Sequence, residues 1–245
     1  MPELPEIETI RTQLESAIVG KFFNKKKIIA VRRRGKIIVV SFVDGSGLMF
    51  HLKLTGQLLF NVQPSRFTRE VFQFDNGASL VFNDVRKFGW WKQVKSPEET
   101  KEIKQLGPDA LDINEQEFRI KLDKRKNAKI KSLLMDQKFV AGIGNIYADE
   151  ILFDAKVSPI RFAKTLNPSE AKRIFLSMGK ILKAAIRVGG SSVRDYIDLE
   201  GKKGDYTKHH KVYRKTGQPC PKCGSKIQRI KLNQRSSHFC PQCQK

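Results

Sequence analysis

Residues 220–243, CPKCGSKIQRIKLNQRSSHFCPQC, carry all four cysteines of the chain in two C-x2-C pairs that sixteen residues separate. Each pair places two thiolates on one side of a tight turn, and two pairs complete a tetrahedral ligand set. About 30 residues bury too little surface to fold unaided, so a metal would supply the missing stability. Disulfides and a redox pair are the alternatives. The spacing predicts one structural zinc ion in a ribbon, held by Cys220, Cys223, Cys240 and Cys243.

The segment between the two cysteine pairs has the pattern of a β-hairpin. KIQRIKL (226–232) and SSHF (236–239) are predicted strands, and Asn233-Gln234-Arg235 forms the predicted tip. An arginine on a rigid tip suits a phosphate contact, although a solvated surface arginine fits the same position.

The charge of the chain predicts an anionic partner. It has 245 residues with 47 Lys and Arg against 25 Asp and Glu, a formal net charge of +22. Like charges repel in the folded state, and their spread along the chain favours a broad basic face for nucleic acid over a membrane surface or an acidic protein. The acid-rich N-terminus lacks the apolar core of a signal peptide, and no apolar run reaches about 18 residues. We therefore expect a cytoplasmic, nucleoid-associated protein that does not bind membranes.

The first half of the chain changes from helical to β patterning. Residues 5–19 are a predicted helix whose apolar face comprises Ile7, Ile10, Leu14 and Ile18, and Gly20 ends it. Short strands rich in branched and aromatic residues follow over 28–94, with hairpin turns at Asp44-Gly45 and Asn76-Gly77. Many short strands with such turns predict a sandwich or a barrel.

The second half is predominantly helical. After Gly107-Pro108 the predicted helices span 114–124, 128–137, 146–156 and 168–188. Asn167-Pro168-Ser169-Glu170 is a strong helix start, Gly189-Gly190 ends that helix, and 191–217 is a polar loop.

The N-terminal residues allow two interpretations. Pro2 fits a helix start, and acids such as Glu3 and Glu6 interact well with the dipole of a first helical turn. If the helix extends back to residue 3, however, Glu3 falls on the apolar face. A carboxylate there points toward the protein, which is unusual for a simple dipole partner.

Six motifs in order resemble bacterial formamidopyrimidine-DNA glycosylases over residues 1–245. They are MPELPEIE (1–8), HLKLTGQL (51–58), DVRKFGWW (84–91), LMDQKFVAGIGNIYADEILF (134–153), GGSSVRDY (189–196) and the ribbon. The resemblance implies an α+β fold: an N-terminal helix plus antiparallel β-sandwich (1–106), a helix–two-turn–helix domain with a lesion loop (107–215) and the zinc ribbon (216–245). It also implies a monomer, without organic cofactor, that binds damaged double-stranded DNA in a cleft.

The chemistry that the resemblance implies needs an unprotonated amine. Such an amine attacks the sugar C1′, expels an oxidised purine and leaves an imine from which β,δ-elimination cleaves the strand. An ordinary α-amine has a pKa near 8, so roughly 10% is unprotonated at pH 7. Pro2 is small enough for Met1 to be removed, and a chain that keeps Met1 has no Pro2 amine. The resemblance assigns the chemical steps to Pro2, Glu3, Lys36 and Arg235.

Further residues match the DNA contacts of the family. The implied positions are Glu6, His51, Leu54, Arg86, Phe88, Lys126, Asn145, Lys202 and Tyr213. Arg86 and Phe88 match residues that enter the duplex when the damaged base is extruded, and Lys202 lies in the loop that closes over that base. Asn145 follows two glycines at a helix start, where free N–H groups favour a phosphate.

The chain departs from the family at three places. The stretch between Gly20 and Lys36 is shorter, Leu54 stands where a Met is usual, and residues 66–69 (RFTR) replace a His-rich segment. An endonuclease VIII-like enzyme for oxidised pyrimidines is the alternative within the superfamily, and Leu4 favours the purine branch. The alternative from another class is a noncatalytic protein that binds damaged DNA.

Overall fold

A computed structural model describes all 245 residues of the chain as two compact units. The first comprises residues 1–105 and 185–207, and the second comprises 106–184 and 208–245. The sequence prediction had grouped 185–207 with the helical region. These residues belong to the first unit because their backbone bonds to it, as where the Phe60 N–H donates to the Leu199 carbonyl at 3.1 Å.

Helix α1 (Leu4–Ile18) opens the first unit close to the predicted bounds. Pro5 lies in its first turn, where backbone N–H groups have no intrahelical partner to lose. The predicted apolar face is confirmed, because Ile7, Ile10, Leu14 and Ile18 are all buried.

Eight strands follow in two antiparallel sheets. The strands are β1 (Phe22–Phe23), β2 (Lys26–Arg34), β3 (Ile37–Phe42), β4 (Gly47–His51), β5 (Gly56–Phe60), β6 (Thr68–Gln73), β7 (Ser79–Asp84) and β8 (Trp90–Val94). The first sheet has the order β1-β2-β3-β4-β8 and the second β5-β7-β6. The predicted turns at Asp44-Gly45 and Asn76-Gly77 join β3 to β4 and β6 to β7, each with its glycine in the left-handed region.

A single core fixes the sandwich. Buried side chains of the first sheet, such as Val40 and Phe50, belong to the same apolar cluster as Leu58 and Phe82 of the second sheet and Leu14 of α1. Sandwich rather than barrel is therefore the observed architecture. The short α2 (Lys101–Lys104) follows β8 and ends this part of the chain.

The second unit holds α3 (Glu115–Asp123), α4 (Ile130–Met135), α5 (Asn145–Asp154) and most of α6 (Pro168–Arg187). All four agree with the predicted helices to within about three residues at either end. The predicted start of α6 is confirmed as a capping box, because the Glu170 N–H donates to Asn167 Oδ1 and the Asn167 N–H donates to Glu170 Oε2.

The ribbon hairpin consists of β9 (Gln228–Leu232) and β10 (Arg235–Phe239). Its turn is shorter than predicted: Asn233 and Gln234 alone make it, with φ of 44° and 60°, and Arg235 already pairs with Leu232. Two residues with positive φ suffice for a tight hairpin whose twist matches its strands. Arg235 therefore lies at the start of a strand and not in the turn.

No helix of the protein combines the length and the apolar composition that crossing a membrane requires.

Candidate active site and nucleic-acid interface

The start of α1 buries two carboxylates beside the chain terminus. Glu3 is the N-cap residue with 2% exposure, and Glu6 is 1% exposed. The two form a capping box in which the Glu3 N–H donates to Glu6 Oε2 at 2.7 Å. The predicted inward direction of Glu3 is therefore observed, although the residue caps the helix and is not within it.

Glu6 organises this corner of the first unit. Its second oxygen, Oε1, accepts the Ser191 N–H at 2.7 Å. Gly190 makes that approach possible, because a Cβ at this position would lie 2.6 Å from Glu6 Oε1. Sequence patterning predicts a helix end at Gly190, whereas its close approach to Glu6 depends on the tertiary contact.

Lys36 supplies a buried positive charge at the start of β3. It is 6% exposed and follows Gly35, whose φ of 57° makes the turn from β2. The Lys36 charge lowers both the pKa of the N-terminal amine and the pKa of His51. It therefore lies within electrostatic range of both groups.

The environment of the chain terminus favours an unprotonated amine. Burial lowers the pKa of the Met1 α-amine below its usual value, and the Lys36 charge acts in the same direction. The carboxylates of Glu3 and Glu6 oppose this shift. Pro2, the next residue, is itself buried. Desolvation disfavours the charged amine, which is the condition a nucleophilic amine needs.

His51 is a neutral imidazole that accepts a backbone hydrogen bond. Burial, with the charges of Lys53 and Lys36, lowers the pKa of His51 to about 3. The Lys53 N–H donates to His51 Nδ1 at 3.0 Å, so the single ring proton of the neutral form resides on Nε2. Leu54 follows on the same turn and is half-buried.

Arg86 and Phe88 lie in a loop of four consecutive exposed residues, 85–88. Phe88 is 54% exposed, and the Arg86 guanidinium lies 5.2 Å from the centre of its ring. Val85 of the same loop is 56% exposed, so the loop presents a small apolar surface beside the Arg86 charge.

Lys202 is exposed in the loop 195–205, and that loop is tied to α1 by a residue that sequence reasoning missed. The Gln13 amide donates to Asp198 Oδ2 at 2.8 Å and accepts the Leu199 N–H at 3.0 Å. Asp198 in turn accepts the Lys202 N–H at 2.8 Å. A lone Gln on a helix face gives no sequence signal for such a role.

Three further predicted DNA contacts lie in the second unit. Lys126 is exposed, and Asn145 is the first residue of α5. The Asn145 Oδ1 atom is buried and has no hydrogen-bond partner, so this amide retains bonding capacity that the chain does not use. The Tyr213 ring packs edge-on against His210 and His238.

A buried ionic cluster behind these residues was not predicted. Lys131 Nζ lies 2.7 Å from Asp149 Oδ1, and the His238 N–H donates to Asp149 Oδ2 at 2.9 Å. Glu150 accepts three backbone N–H groups, from residues 211 to 213, and burial raises its pKa. These residues connect α4 and α5 to the ribbon and to the segment that precedes it.

The four cysteine sulfurs converge as the spacing predicted. All four Sγ atoms lie within 4.8 Å of one another, and the Cys223–Cys240 and Cys220–Cys243 pairs are 3.5 and 3.9 Å apart. A tetrahedral ion with metal–sulfur bonds of about 2.3 Å requires separations of about 3.8 Å. The cysteines form no disulfide, and the donor set fits a metal.

Comparison with known proteins decides the family. The model of the formamidopyrimidine-DNA glycosylase H2TH domain matches residues 106–197, the N-terminal domain of the same family matches 21–91, and the zinc finger found in FPG and IleRS matches 217–245. The chain belongs to the formamidopyrimidine-DNA glycosylase family. Five of the six predicted motifs lie within these matched regions, and MPELPEIE (1–8) precedes the first of them.

Relatives within the formamidopyrimidine-DNA glycosylase family match along their whole length. The enzyme of Solibacter usitatus is 40% identical over 268 residues, with 100% of both chains covered. That of Pelotomaculum thermopropionicum is 39% identical over 274 residues, with 100% of this chain and 99% of the relative covered. These alignments are longer than the 245 residues of the chain, so the relatives carry segments that it lacks.

Solved formamidopyrimidine-DNA glycosylases share the fold. The Thermus thermophilus protein has a TM-score of 0.90 at 34% identity, covering 99% of this chain and 98% of its own. A Lactococcus lactis variant in complex with DNA containing Fapy-dG has a TM-score of 0.91 at 34% identity, covering 100% of both chains. The helix, sandwich, helical domain and cysteine ribbon are thus the family architecture.

Proposed function

We propose that the protein excises oxidised purines from double-stranded DNA and then cleaves the strand, with the amine of Pro2 as its nucleophile after Met1 is removed. The observation that carries this proposal is the buried cluster of Glu3, Glu6 and Lys36 around the N-terminus of α1. Solved relatives bound to Fapy-dG, carbocyclic 8-oxo-G and abasic-site DNA support the same substrate class.

Each group of the cluster has a distinct part in the proposed reaction. The Pro2 nitrogen forms a bond to C1′ while the bond from C1′ to the base breaks and the base leaves with its electron pair. Glu3 passes to the ring oxygen O4′ the proton that the Pro2 nitrogen gives up when the sugar opens to the imine. Lys36 pairs with the neighbouring phosphate, and Glu6 positions Glu3 through the 2.7 Å bond to its N–H. Arg235 assists the second elimination.

Leu4 supports the purine preference, and its side chain is fully buried at the start of α1. Comparing excision of 8-oxoguanine opposite cytosine with excision of thymine glycol separates this proposal from an endonuclease VIII-like activity. Faster excision of thymine glycol would overturn the purine assignment.

We propose further that the four cysteines hold one structural zinc ion. Zinc would stabilise the ribbon that carries Arg235. The apolar core of the ribbon is small and comprises Phe153, Val212 and Ile227 besides the cysteines. In this proposal residues 216–245 form a metal-dependent module, residues 106–184 and 208–215 form the helical region, and residues 185–207 act with the catalytic residues 1–105. The enzyme acts as a monomer in the cytoplasm, on the nucleoid.

Covalent trapping tests the nucleophile. With borohydride and DNA carrying an abasic site, protein lacking Met1 should form a stable adduct, whereas protein with an N-terminal extension before Pro2 should form none. The trapping rate should fall as the pH falls, because protonation blocks the amine. Because Pro2 is buried and burial disfavours the charged amine, the half-maximal rate should lie at a lower pH than the pKa of an exposed N-terminal proline.

Equal adduct yields from the two proteins would exclude the Pro2 amine. If neither protein formed an adduct, the noncatalytic alternative would be favoured, in which the scaffold binds damaged DNA without cleaving it.

A further inference from the structure

Two connections between the sheets lie side by side in the first unit. Residues 52–55 lead from β4 in the five-stranded sheet to β5 in the three-stranded sheet, and residues 85–89 lead back from β7 to β8. Because β4 pairs with β8 and β5 pairs with β7, both connections occur at the same end of the sandwich. We call residues 52–55 and 85–89 the crossover loops.

One buried carboxylate joins the crossover loops. Asp84 is 1% exposed, and its Oδ1 accepts the Thr55 hydroxyl at 2.5 Å. The same oxygen accepts the Arg86 N–H at 3.2 Å, and Oδ2 accepts the Gly89 N–H at 2.6 Å. The Arg86 N–H also donates to Thr55 Oγ1 at 3.1 Å. Asp84 and Thr55 thus hold both ends of the second loop and tie it to the first.

The close packing at Gly89 shows that this arrangement allows little movement. A Cβ at Gly89 would lie 2.8 Å from the Phe82 ring, 2.9 Å from Asp84 Oδ2 and 3.3 Å from the His51 carbonyl. Lys87, at the turn of the loop, has a φ of 57°, a left-handed conformation that a non-glycine residue adopts only where its surroundings hold it.

The crossover loops present side chains suited to a disrupted base stack. Val85 and Phe88 are 56% and 54% exposed, Arg86 stacks on Phe88, and Leu54 lies on the neighbouring loop. An apolar surface flanked by cations can fill the space that an extruded base leaves, provided that the loops keep their conformation when they enter the base stack. Rigidity of the loops therefore matters as much as their side chains.

We infer that Asp84 and Thr55 are positioning residues that lock the two crossover loops into one rigid wedge for base extrusion. This inference rests on the proposed function. Neither residue needs to touch DNA. Their effect reaches the reaction through the backbone of Arg86 and Phe88.

Substitutions at the lock test the inference. In Asp84→Asn the side-chain NH2 group must face a hydrogen-bond donor, either the Gly89 N–H or the Thr55 hydroxyl, so one of these bonds is lost. Thr55→Val removes the hydroxyl at nearly constant side-chain shape. Both should slow excision of 8-oxoguanine from duplex DNA by about 10- to 100-fold, as expected of a misplaced reacting geometry. Cleavage at an abasic site in single-stranded DNA needs no extrusion and should change by less than about 3-fold. Thr55→Ser restores the hydroxyl and should restore duplex excision.

The controls separate positioning from general stability. Asp44→Asn removes a turn-capping carboxylate, which accepts the Ser46 N–H and hydroxyl, from a hairpin with no predicted DNA contact and should leave both activities unchanged. The double variant of Asp84→Asn and Thr55→Val should be no slower than Asp84→Asn alone, because both break the same lock. If Asp84→Asn does not fold, the Thr55 pair carries the test.

The fluorescence of 2-aminopurine opposite the lesion measures extrusion without chemistry. A reduced extrusion signal in the variants is expected. An equal slowing of duplex and single-strand cleavage, or unchanged extrusion, would overturn the lock. Wild-type protein that extrudes but does not excise 8-oxoguanine would overturn the proposed function while leaving the lock supported.

Discussion

Both units bury charged side chains, but the groups that these charges contact differ between the two units. In the second unit Lys131, Asp149 and Glu150 are each 1% exposed and are bonded to one another, to His238 or to backbone N–H groups. In the first unit Glu3, Glu6 and Lys36 are also buried but surround the chain terminus, whose amine they influence.

A buried charge is therefore not by itself a sign of catalysis. An ion pair that is fully matched inside a protein contributes structure, and removing one partner leaves the other desolvated. A cluster of buried charges around a titratable nucleophile instead adjusts the fraction of that group in its reactive form. The partner of the charge, and not its burial, separates the two cases.

Removing the proposed zinc should produce the largest contrast between the units. The ribbon core is small, so chelation should unfold it and abolish DNA binding, a change of at least about 100-fold in affinity. The first unit should remain folded. Both tryptophans, Trp90 and Trp91, lie on β8, so tryptophan emission reports on that unit alone. Loss of the native emission on chelation would contradict the independence of the first unit, and retained binding would make the ribbon dispensable.

Breaking the matched pair in the second unit should cost stability without altering the chemistry. Lys131→Met removes the cation that pairs with the buried Asp149 carboxylate, and the free energy of unfolding of that unit should fall by about 3–5 kcal/mol. Lys180→Met is the control, since its pair with Asp154 is on the surface and should contribute at most about 1 kcal/mol. Denaturation followed by circular dichroism measures both. The rate of adduct formation per folded molecule should be unchanged, and a selective loss of that rate would give Lys131 a catalytic role.

The smallest effect distinguishes charged from neutral phosphate contacts. Lys126→Gln should reduce the slope of log affinity against log salt by about 0.9, because one counterion fewer is released. His51→Gln should weaken binding without changing the slope, since the lowered pKa of about 3 keeps His51 neutral above roughly pH 4. The loss for His51→Gln should also be constant between pH 5 and pH 8. A slope change at His51 equal to that at Lys126 would mean that the histidine binds in its charged form.

Features that depend on residues close together in sequence were predicted better than features that depend on residues far apart. The helix bounds, the hairpin turns and the cysteine cluster depend on residues near one another in sequence, and each was predicted from periodicity or spacing. β2 was only partly recognised, because its nine residues include five Lys and Arg that mask the alternation of a half-buried strand. The tip of the ribbon hairpin was predicted one residue too long, because its sequence fits more than one turn length.

Local patterning was enough to predict most helices and strands and the cysteine ligand set, because each depends on residues close together in sequence, and the family resemblance supplied the roles of Pro2 and Glu3. Three further features depend on the folded arrangement: Glu6 uses both oxygens to hold Glu3 and Ser191, Gln13 binds the loop of Lys202, and Asp84 joins the crossover loops. These contacts join residues 29 to 185 positions apart, apart from the local bond to Glu3. No single-sequence pattern specifies such pairs, since they depend on where the sheets and helices bring the backbone together.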